Sequence, residues 1–420
     1  MSIEPWINWQ FHKTPGHIDP RANFTRAGIG RVTNRIGLVS PVPANTARCR
    51  FHPISGLSEG LLVEHQRTNL LLRSEEFENV VWTATNLSIT ANSTTAPDGT
   101  TTADTLTATA TGGKLAQAVT ITAGRGVAFG VYAKGNASSW VILSLSDGTN
   151  TVDCWFNLAA GTTGTHTIGG SGGGFTLSFS QKWVEAQRNG WYLCALEVTS
   201  SVSTTIAASI APAAGDNTAS TNGNSLFVWG AQVEAESALT NLSSYIPTTS
   251  ATITRSADNL ILPVISSQVP LDRGTMVFEF MPRPVPPVIG GPSIVLGGLG
   301  DTFSNTIYIS RTGNTSLGVT YIASGGTSSQ VNRTCAYTPG TIYRFGVAWQ
   351  PGRYAICIDG GAIAAGQSNI VPLASIARIA VGCAPWSTSS ANTIGNAVHR
   401  AFVYAPICVP DATLQQLTAP

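Results

Sequence analysis

The sequence predicts an all-β protein: two antiparallel β-sandwich (jelly-roll) domains preceded by an extended N-terminal arm. Three observations predict it. Short apolar runs alternate with Gly, Asn, Ser, Thr and Asp turns from residue 73 onward, which is the spacing of sandwich strands. Within the runs the apolar positions recur every second residue, so that Val141, Leu143 and Leu145 face one way. Sustained helical periodicity is absent, which excludes a long coiled-coil stalk.

Residues 1–72 read as the arm. They hold His12, His17, His52 and His65 and many arginines, are studded with Pro and Gly, and lack strand alternation. Such a segment buries little surface alone, so it is expected either to anchor on a neighbouring subunit or larger body, or to form an irregular subdomain of the same monomer. Residues 73–259 form the first sandwich, with strands expected over Val127–Tyr132, Trp140–Leu145, Val152–Leu158, Trp191–Val198 and Leu226–Val233. The Gly- and Thr-rich stretch Gly161–Gly174 reads as a long connection. Residues 260–420 form the second sandwich. In it Tyr343, Phe345, Val347 and Trp349 share a core-facing side, and Pro282–Pro287 is an insert that cannot join a ladder. Asp359-Gly360 suits a hairpin turn, and Asp411 is placed to cap a short helix with Leu414 and Leu417 on one face.

Composition narrows the function. Of 420 residues, 43% are hydrophobic, enough for ordinary cores, while only 11% are charged, against about 25% in typical soluble proteins. The net charge is +1 and no Lys/Arg run occurs, so the chain carries no electrostatic footprint for nucleic acid or an anionic membrane. No apolar stretch approaches the roughly 20 residues of a membrane span, and the N-terminus lacks the basic and apolar regions of a secretory signal. The seven cysteines show no CxxC spacing and mostly sit within apolar strand patterns, as buried free thiols do; thiols of this kind suit assembly in a bacterial cytoplasm.

Several ordered motifs resemble a known family. The run Gly60–Phe77, with Glu64, Arg67, Thr68 and Asn69 among leucines, is similar to a block of phage structural proteins that precedes a carbohydrate-binding-module-like jelly roll. Trp82 and then Thr95–Asp104, Phe129–Lys134, Gly190–Cys194, Phe227–Glu234, Tyr245–Thr249 and Thr254–Asp258 look like that domain's successive motifs, and together the matches span roughly residues 20–259. The second half, with Trp349–Gly352 and Ile358–Gly361, resembles a concanavalin-A-like (laminin-G-like) lectin sandwich, less specifically. The resemblance implies a non-enzymatic virion surface protein: capsid decoration, head fibre or tail-associated fibre. It implies a closed homo-oligomer, a trimer ahead of a pentamer, contacts to other virion proteins through the arm, and a place on the virion surface after synthesis in the host cytoplasm. Weak adhesion to bacterial surface glycans fits it. A receptor-binding lectin with a defined sugar and an accessory module of a polysaccharide-degrading enzyme are the alternatives.

No catalytic constellation is legible. Hydrolysing a glycoside takes two carboxylates about 5–10 Å apart, and no Glu-x-Asp-x-x-Glu pattern occurs; Glu279 stands alone and Asp301 and Asp359 lie in turns. Glu75, Glu76 and Glu78 read as a solvated cluster, and His399 as a surface or packing residue. GxSxG, HExxH and the short repeats of a β-helix are missing, and no metal or other cofactor is expected. What remains is glycan binding. Alternation turns Val152, Cys154 and Phe156 inward and Asp153, Trp155 and Asn157 outward, giving an indole between two polar side chains. Trp155 is either such a platform or covered by a loop, the arm or another subunit, since indoles favour interfaces. Trp386, in a Pro-Trp-Ser loop, is a second candidate. Arg67 and Asn69 are expected to tie the arm to the backbone of the first sandwich.

Overall fold

The computed structural model describes residues 6–420 except 124–125, 171–176, 201–203, 237–241, 283–293, 313–315, 324–327, 336–337, 339, 367–370 and 387–396. Two sandwiches account for most of it. In the first, one six-stranded sheet runs in the order Thr162–Gly169, Thr151–Asn157, Trp140–Ser146, Thr204–Ala213, Lys114–Ile121, Thr83–Thr85. It faces a second six-stranded sheet, ordered Leu177–Ala186, Tyr192–Ser200, Gly126–Gly135, Ser225–Glu236, Ala103–Ala108, Leu87–Thr94. The core between them is built from the alternating residues: Val141, Leu143, Leu145, Val152, Cys154 and Phe156 from one sheet meet Phe129, Val131, Cys194, Leu196, Val228 and Val233 from the other.

The expected connection over residues 161–174 is a strand for much of its length, Thr162–Gly169, paired with Thr151–Asn157. It lies at the edge of its sheet and is mostly exposed. An edge strand with no core face needs no apolar alternation, and threonine favours the pleat without it. Residues 171–174 of that stretch, like 283–287 of the proline-rich insert, lie outside the described residues.

The second sheet of the first sandwich is buried on both faces. Its outer face carries Tyr132, Trp191, Leu193 and Trp229, roofed by Val39, Ala96, Leu242 and Tyr245. Trp229 packs 4.7 Å from Tyr245 and 5.4 Å from Tyr132, centroid to centroid. Gly230, at φ 63°, is what admits this contact: a Cβ there would press within 3.2 Å of both tyrosine rings.

The second sandwich is not confined to the C-terminal residues, and here the expected arm is corrected. Ile7–Trp9 pairs with Ala397–Ala405, Asn23–Thr25 pairs with Asn259–Pro263, and Arg48–Phe51 and Ser58–Val63 extend the sheet through Ala397–Ala405. Ile7, Trp9, Phe11, Leu61 and Val63 are buried in one core with Phe278, Val347, Trp349, Phe402 and Tyr404. The N-terminal residues thus fold against their own chain. Their strands are three to six residues long, too short to show a period, and this hid them in the sequence.

The first sandwich is therefore an insertion in the second. Its two ends leave through a ribbon in which Arg67–Asn69 pairs with Ile253–Arg255, Asn69 opposite Ile253. Around the ribbon sits a buried ionic cluster. Arg48 pairs with Glu64 at 2.8 Å and with Asp258; Arg26 pairs with Asp258 at 3.1 Å; Arg255 lies 3.5 Å from Glu64 and Arg67 lies 3.4 Å from Glu234. The side chains of Arg26, Arg48, Glu64 and Asp258 are wholly shielded from solvent. Ser244 donates its N–H (2.8 Å) and hydroxyl (2.6 Å) to Glu64.

Two local features complete the frame. Asp359 (φ 47°) and Gly360 (φ 68°) both take the left-handed conformation of a tight hairpin turn, as the sequence indicated. The C-terminal helix spans Asp411–Thr418, but Pro410 occupies its N-cap and Asp411 pairs with Arg353 instead. It packs through Leu414 and Thr418, while Leu417 stays 36% exposed.

Three outcomes are expected. First, residues 260–420 alone lack four strands of their sandwich and should show no cooperative denaturant transition. Fusing residues 1–69 to 253–420 through an Asn-Gly turn should restore one. Second, Asp258→Ala strands Arg26 and Arg48 without their shared partner, and should cost about 3–5 kcal/mol in urea unfolding. Third, His399 is fully buried, neither ring nitrogen finds a partner among the described residues, and burial pushes its pKa down to about 3. Its neutral form is the folded one. The group has no effect on stability above about pH 6.5, and below it the unfolded chain takes up the proton first. Stability is then lost toward pH 3 by up to about 1.4 kcal/mol per pH unit. The melting temperature of His399→Leu should rise relative to the parent's between pH 7.5 and pH 5.

Candidate functional site

The free outer face of the first sandwich belongs to the sheet holding Thr151–Asn157. Pairing lays its outward residues in rows across the strands. Asp153 lies beside Ser144, which lies beside Ser209; Trp155 lies beside Ile142, which lies beside Ala211. A cleft of about 330 Å³ runs over these rows, lined by Ile142, Ser144, Asp153, Trp155, Ser209 and Lys114 among others. The turn at Gly112–Gly113 and the loop at Ala219–Ser220 wall one side. These walls are tied together, Gly112 N–H to Ser220 carbonyl at 3.1 Å and Ser220 hydroxyl to Gly113 carbonyl at 3.1 Å.

The four residues picked from sequence do not share one place. Asp153 and Trp155 both line the cleft. Trp155 does point away from the core, yet it is only 6% exposed. It packs against Trp140, Ile142, Ala211 and Ala213, and its indole N–H donates to the Thr218 carbonyl at 3.1 Å. Its ring is a fixed wall of the cleft and not the open platform that alternation alone describes; a loop some 60 residues away in sequence covers it. Asn157 is not among the lining residues. Its side-chain oxygen accepts the N–H groups of Ala159 and Ala160, both at 3.0 Å, and so holds a turn. Trp386 belongs to the other sandwich, half-buried edge-on to Phe303 (5.2 Å) and Tyr308 (4.7 Å).

Arg67 and Asn69 lie at the joint. The Asn69 amide donates to the carbonyls of Ala231 (3.1 Å) and Ile246 (2.9 Å), and its oxygen accepts the N–H groups of Leu71 and Val233, both at 3.1 Å. All its bonding capacity goes to backbone of the inserted segment, which fastens the ribbon to the first sandwich.

Sequence reasoning missed Ser144, Ser209 and Lys114, because only strand pairing sets the serines in a row with Asp153 and brings Lys114 to the same cleft. The serines alternating with apolar residues in Trp140–Ser146 and Thr204–Ala213 were the available signal.

Carboxylates elsewhere are engaged. Glu279 is gripped by Arg344 (2.8 Å) and Arg400 (2.7 Å), which hold its pKa low against the opposing effect of burial. Asp104 is buried and bonded to the N–H groups of Phe77 and Asn92; burial, with Glu78 beside it, raises its pKa to about 6. Glu75 accepts the Tyr245 hydroxyl at 3.0 Å and Glu76 pairs with Arg73, while Glu78, the most exposed of that cluster, lies beside Asp104. All seven cysteines are free thiols. Among the described residues no group of three or more His, Cys, Asp or Glu is placed to hold a metal ion, and no helix is long and apolar enough to cross a membrane.

No family model matches the chain, and no curated protein matches it. Solved structures do. The carbohydrate-binding module CBM40 of the Ruminococcus gnavus IT-sialidase, bound to α2,3-sialyllactose, aligns at 14% identity and a TM-score of 0.30, over 36% of this chain and 84% of that one. The K499G mutant of NanB sialidase from Streptococcus pneumoniae aligns at 12% identity and 0.32, over 38% and 26%. A heptameric SAP-like pentraxin from Limulus polyphemus aligns at 8% identity and 0.27, over 35% and 71%.

Proposed function

We propose that this chain is a non-enzymatic surface protein of a bacteriophage particle, a capsid decoration, head fibre or tail-associated fibre, that adheres weakly to host-surface glycans through the cleft beside Asp153 and Trp155. The cleft is the observation that carries the adhesive part. It joins an indole wall, a carboxylate, an ammonium group and a ladder of serine hydroxyls on a rigid sheet. Sugars ask for this mixture: apolar surface for their C–H faces and a few placed polar groups for their hydroxyls. Asp153 is the sole carboxylate among the lining residues, so the cleft offers no acid–base pair for hydrolysis.

The virion setting rests on the ordered motifs between residues 60 and 258, whose members Glu64, Arg67, Asn69, Glu234 and Asp258 converge on the joint. A closed homo-oligomer, a trimer first, multiplies a weak cleft into useful avidity. Attachment to the particle then uses folded surface, since the N-terminal residues described are spent on the second sandwich.

A glycan array probed with the full-length protein tests the reading. Saturable signals that fall at least tenfold with Asp153→Ala, and with Trp155→Ala where circular dichroism shows that variant folded, are expected. Signals indifferent to Asp153 would sink the cleft as the adhesive site. One dominant glycan would make the protein a receptor-binding lectin with a defined sugar. Release of reducing ends from host polysaccharide would return it to polysaccharide degradation.

A further inference from the structure

The cleft at Asp153 carries opposite charges at its two ends. We infer that it takes an acidic saccharide of two or more residues, its anionic group (a carboxylate or a phosphate) on Lys114 and the hydroxyls of a neutral residue on Asp153. The inference rests on the cleft being the adhesive site, and it names the class of glycan.

Strand register lays the floor out as two rows. In one, Asp153 is followed by Ser144, Ser209 and Ala116. In the other, Trp155 is followed by Ile142 and Ala211. Lys114 ends that second row: it directly precedes Leu115, which pairs with Ile210, and so falls opposite Ala211. Asp153 and Lys114 therefore stand at opposite corners. Three strand spacings separate them, roughly 14 Å across the sheet. A ligand that meets both is longer than one sugar ring.

The groups along this diagonal are unspent. Asp153, Ser144, Ser209 and Lys114 make no side-chain hydrogen bond or ion pair among the described residues. Their neighbours differ: Ser146 donates to the Asn150 carbonyl at 2.9 Å, and Ser220 to the Gly113 carbonyl at 3.1 Å. The Trp155 ring is nearly covered and serves as a wall, so recognition falls on the free charged and hydroxyl groups.

Each corner selects by charge. Lys114 is exposed and offers three donors and no acceptor. An anion there forms charge-assisted hydrogen bonds, whereas a cation is repelled. Asp153 is an acceptor only, so it takes the hydroxyls of a neutral sugar and repels an acidic one. The pair of charges thus fixes which end of the saccharide lies at which end of the cleft.

The full-length protein is applied to an array of neutral, carboxylated and phosphorylated oligosaccharides, and the hits are titrated by isothermal calorimetry. Binding of acidic oligosaccharides is expected, the two acidic arms telling carboxylate from phosphate. Lys114→Ala should weaken it about tenfold at an unchanged melting temperature, and Lys114→Arg should retain it. Neutralising the ligand's anion, as an amide for a carboxylate or a hydroxyl for a phosphate, should cost the parent the same factor and Lys114→Ala nothing more. Asp153-dependent binding confined to neutral glycans, or acidic hits indifferent to Lys114, would overturn the inference and leave the adhesive cleft standing. Absence of any Asp153-dependent binding would remove the cleft as the adhesive site and the inference with it.

Discussion

The arrangement of this molecule depends on keeping a set of charges dry. A chain with 11% charged residues places Arg26, Arg48, Arg67, Glu64, Glu234, Arg255 and Asp258 in one buried knot. Desolvating them is costly, and attraction in a low-dielectric interior offsets the cost only where each ion has a partner and each lone pair a donor. The knot draws its members from five separate stretches of chain, three of them in or beside the inserted sandwich. Charges of this kind tolerate very few arrangements, so the cluster specifies how the sandwiches meet more than how strongly they hold. The apolar cores supply the strength.

That specification decides which surface is left for binding. The sheet holding Trp229 is roofed by Val39, Ala96, Leu242 and Tyr245, and Arg50 reaches across from the second sandwich to Glu185. With one outer face closed by the chain itself, the cleft at Asp153 lies on the opposite face. Its neutrality follows from the same composition: a surface of Ser, Thr and Asn binds by shape and short hydrogen bonds and steers nothing from a distance.

Much of the fold was legible because burial writes a period into strands long enough to show one. Val152, Cys154 and Phe156, or Tyr343, Phe345, Val347 and Trp349, could be assigned to cores from their alternation. Ile7–Trp9 and Asn23–Thr25 could not, since three residues carry no period and their partners lie more than 200 positions away. The edge strand Thr162–Gly169 escaped for the complementary reason that it has no buried face. For the cleft, alternation gave the direction of Trp155 correctly and its exposure wrongly. Direction is a property of the strand, whereas exposure was set by the loop around Thr218. Asn157 shows the same limit, its outward oxygen having been taken by the next turn.

The insertion also bears on how any ligand is held. A domain joined by one linker swivels; one joined by two paired strands cannot turn without breaking the ribbon, and here Asn69 bonds the ribbon to the strand Ser225–Glu236 as well. The cleft at Asp153 is thus fixed relative to the second sandwich before anything binds. Fixed geometry lowers the ordering cost of each contact. It also sets the spacing between sites, on which the gain from engaging more than one at once depends. In the oligomer proposed above, a weakly binding cleft on such a frame would become effective through repetition, with the buried ion cluster giving each copy the same internal geometry.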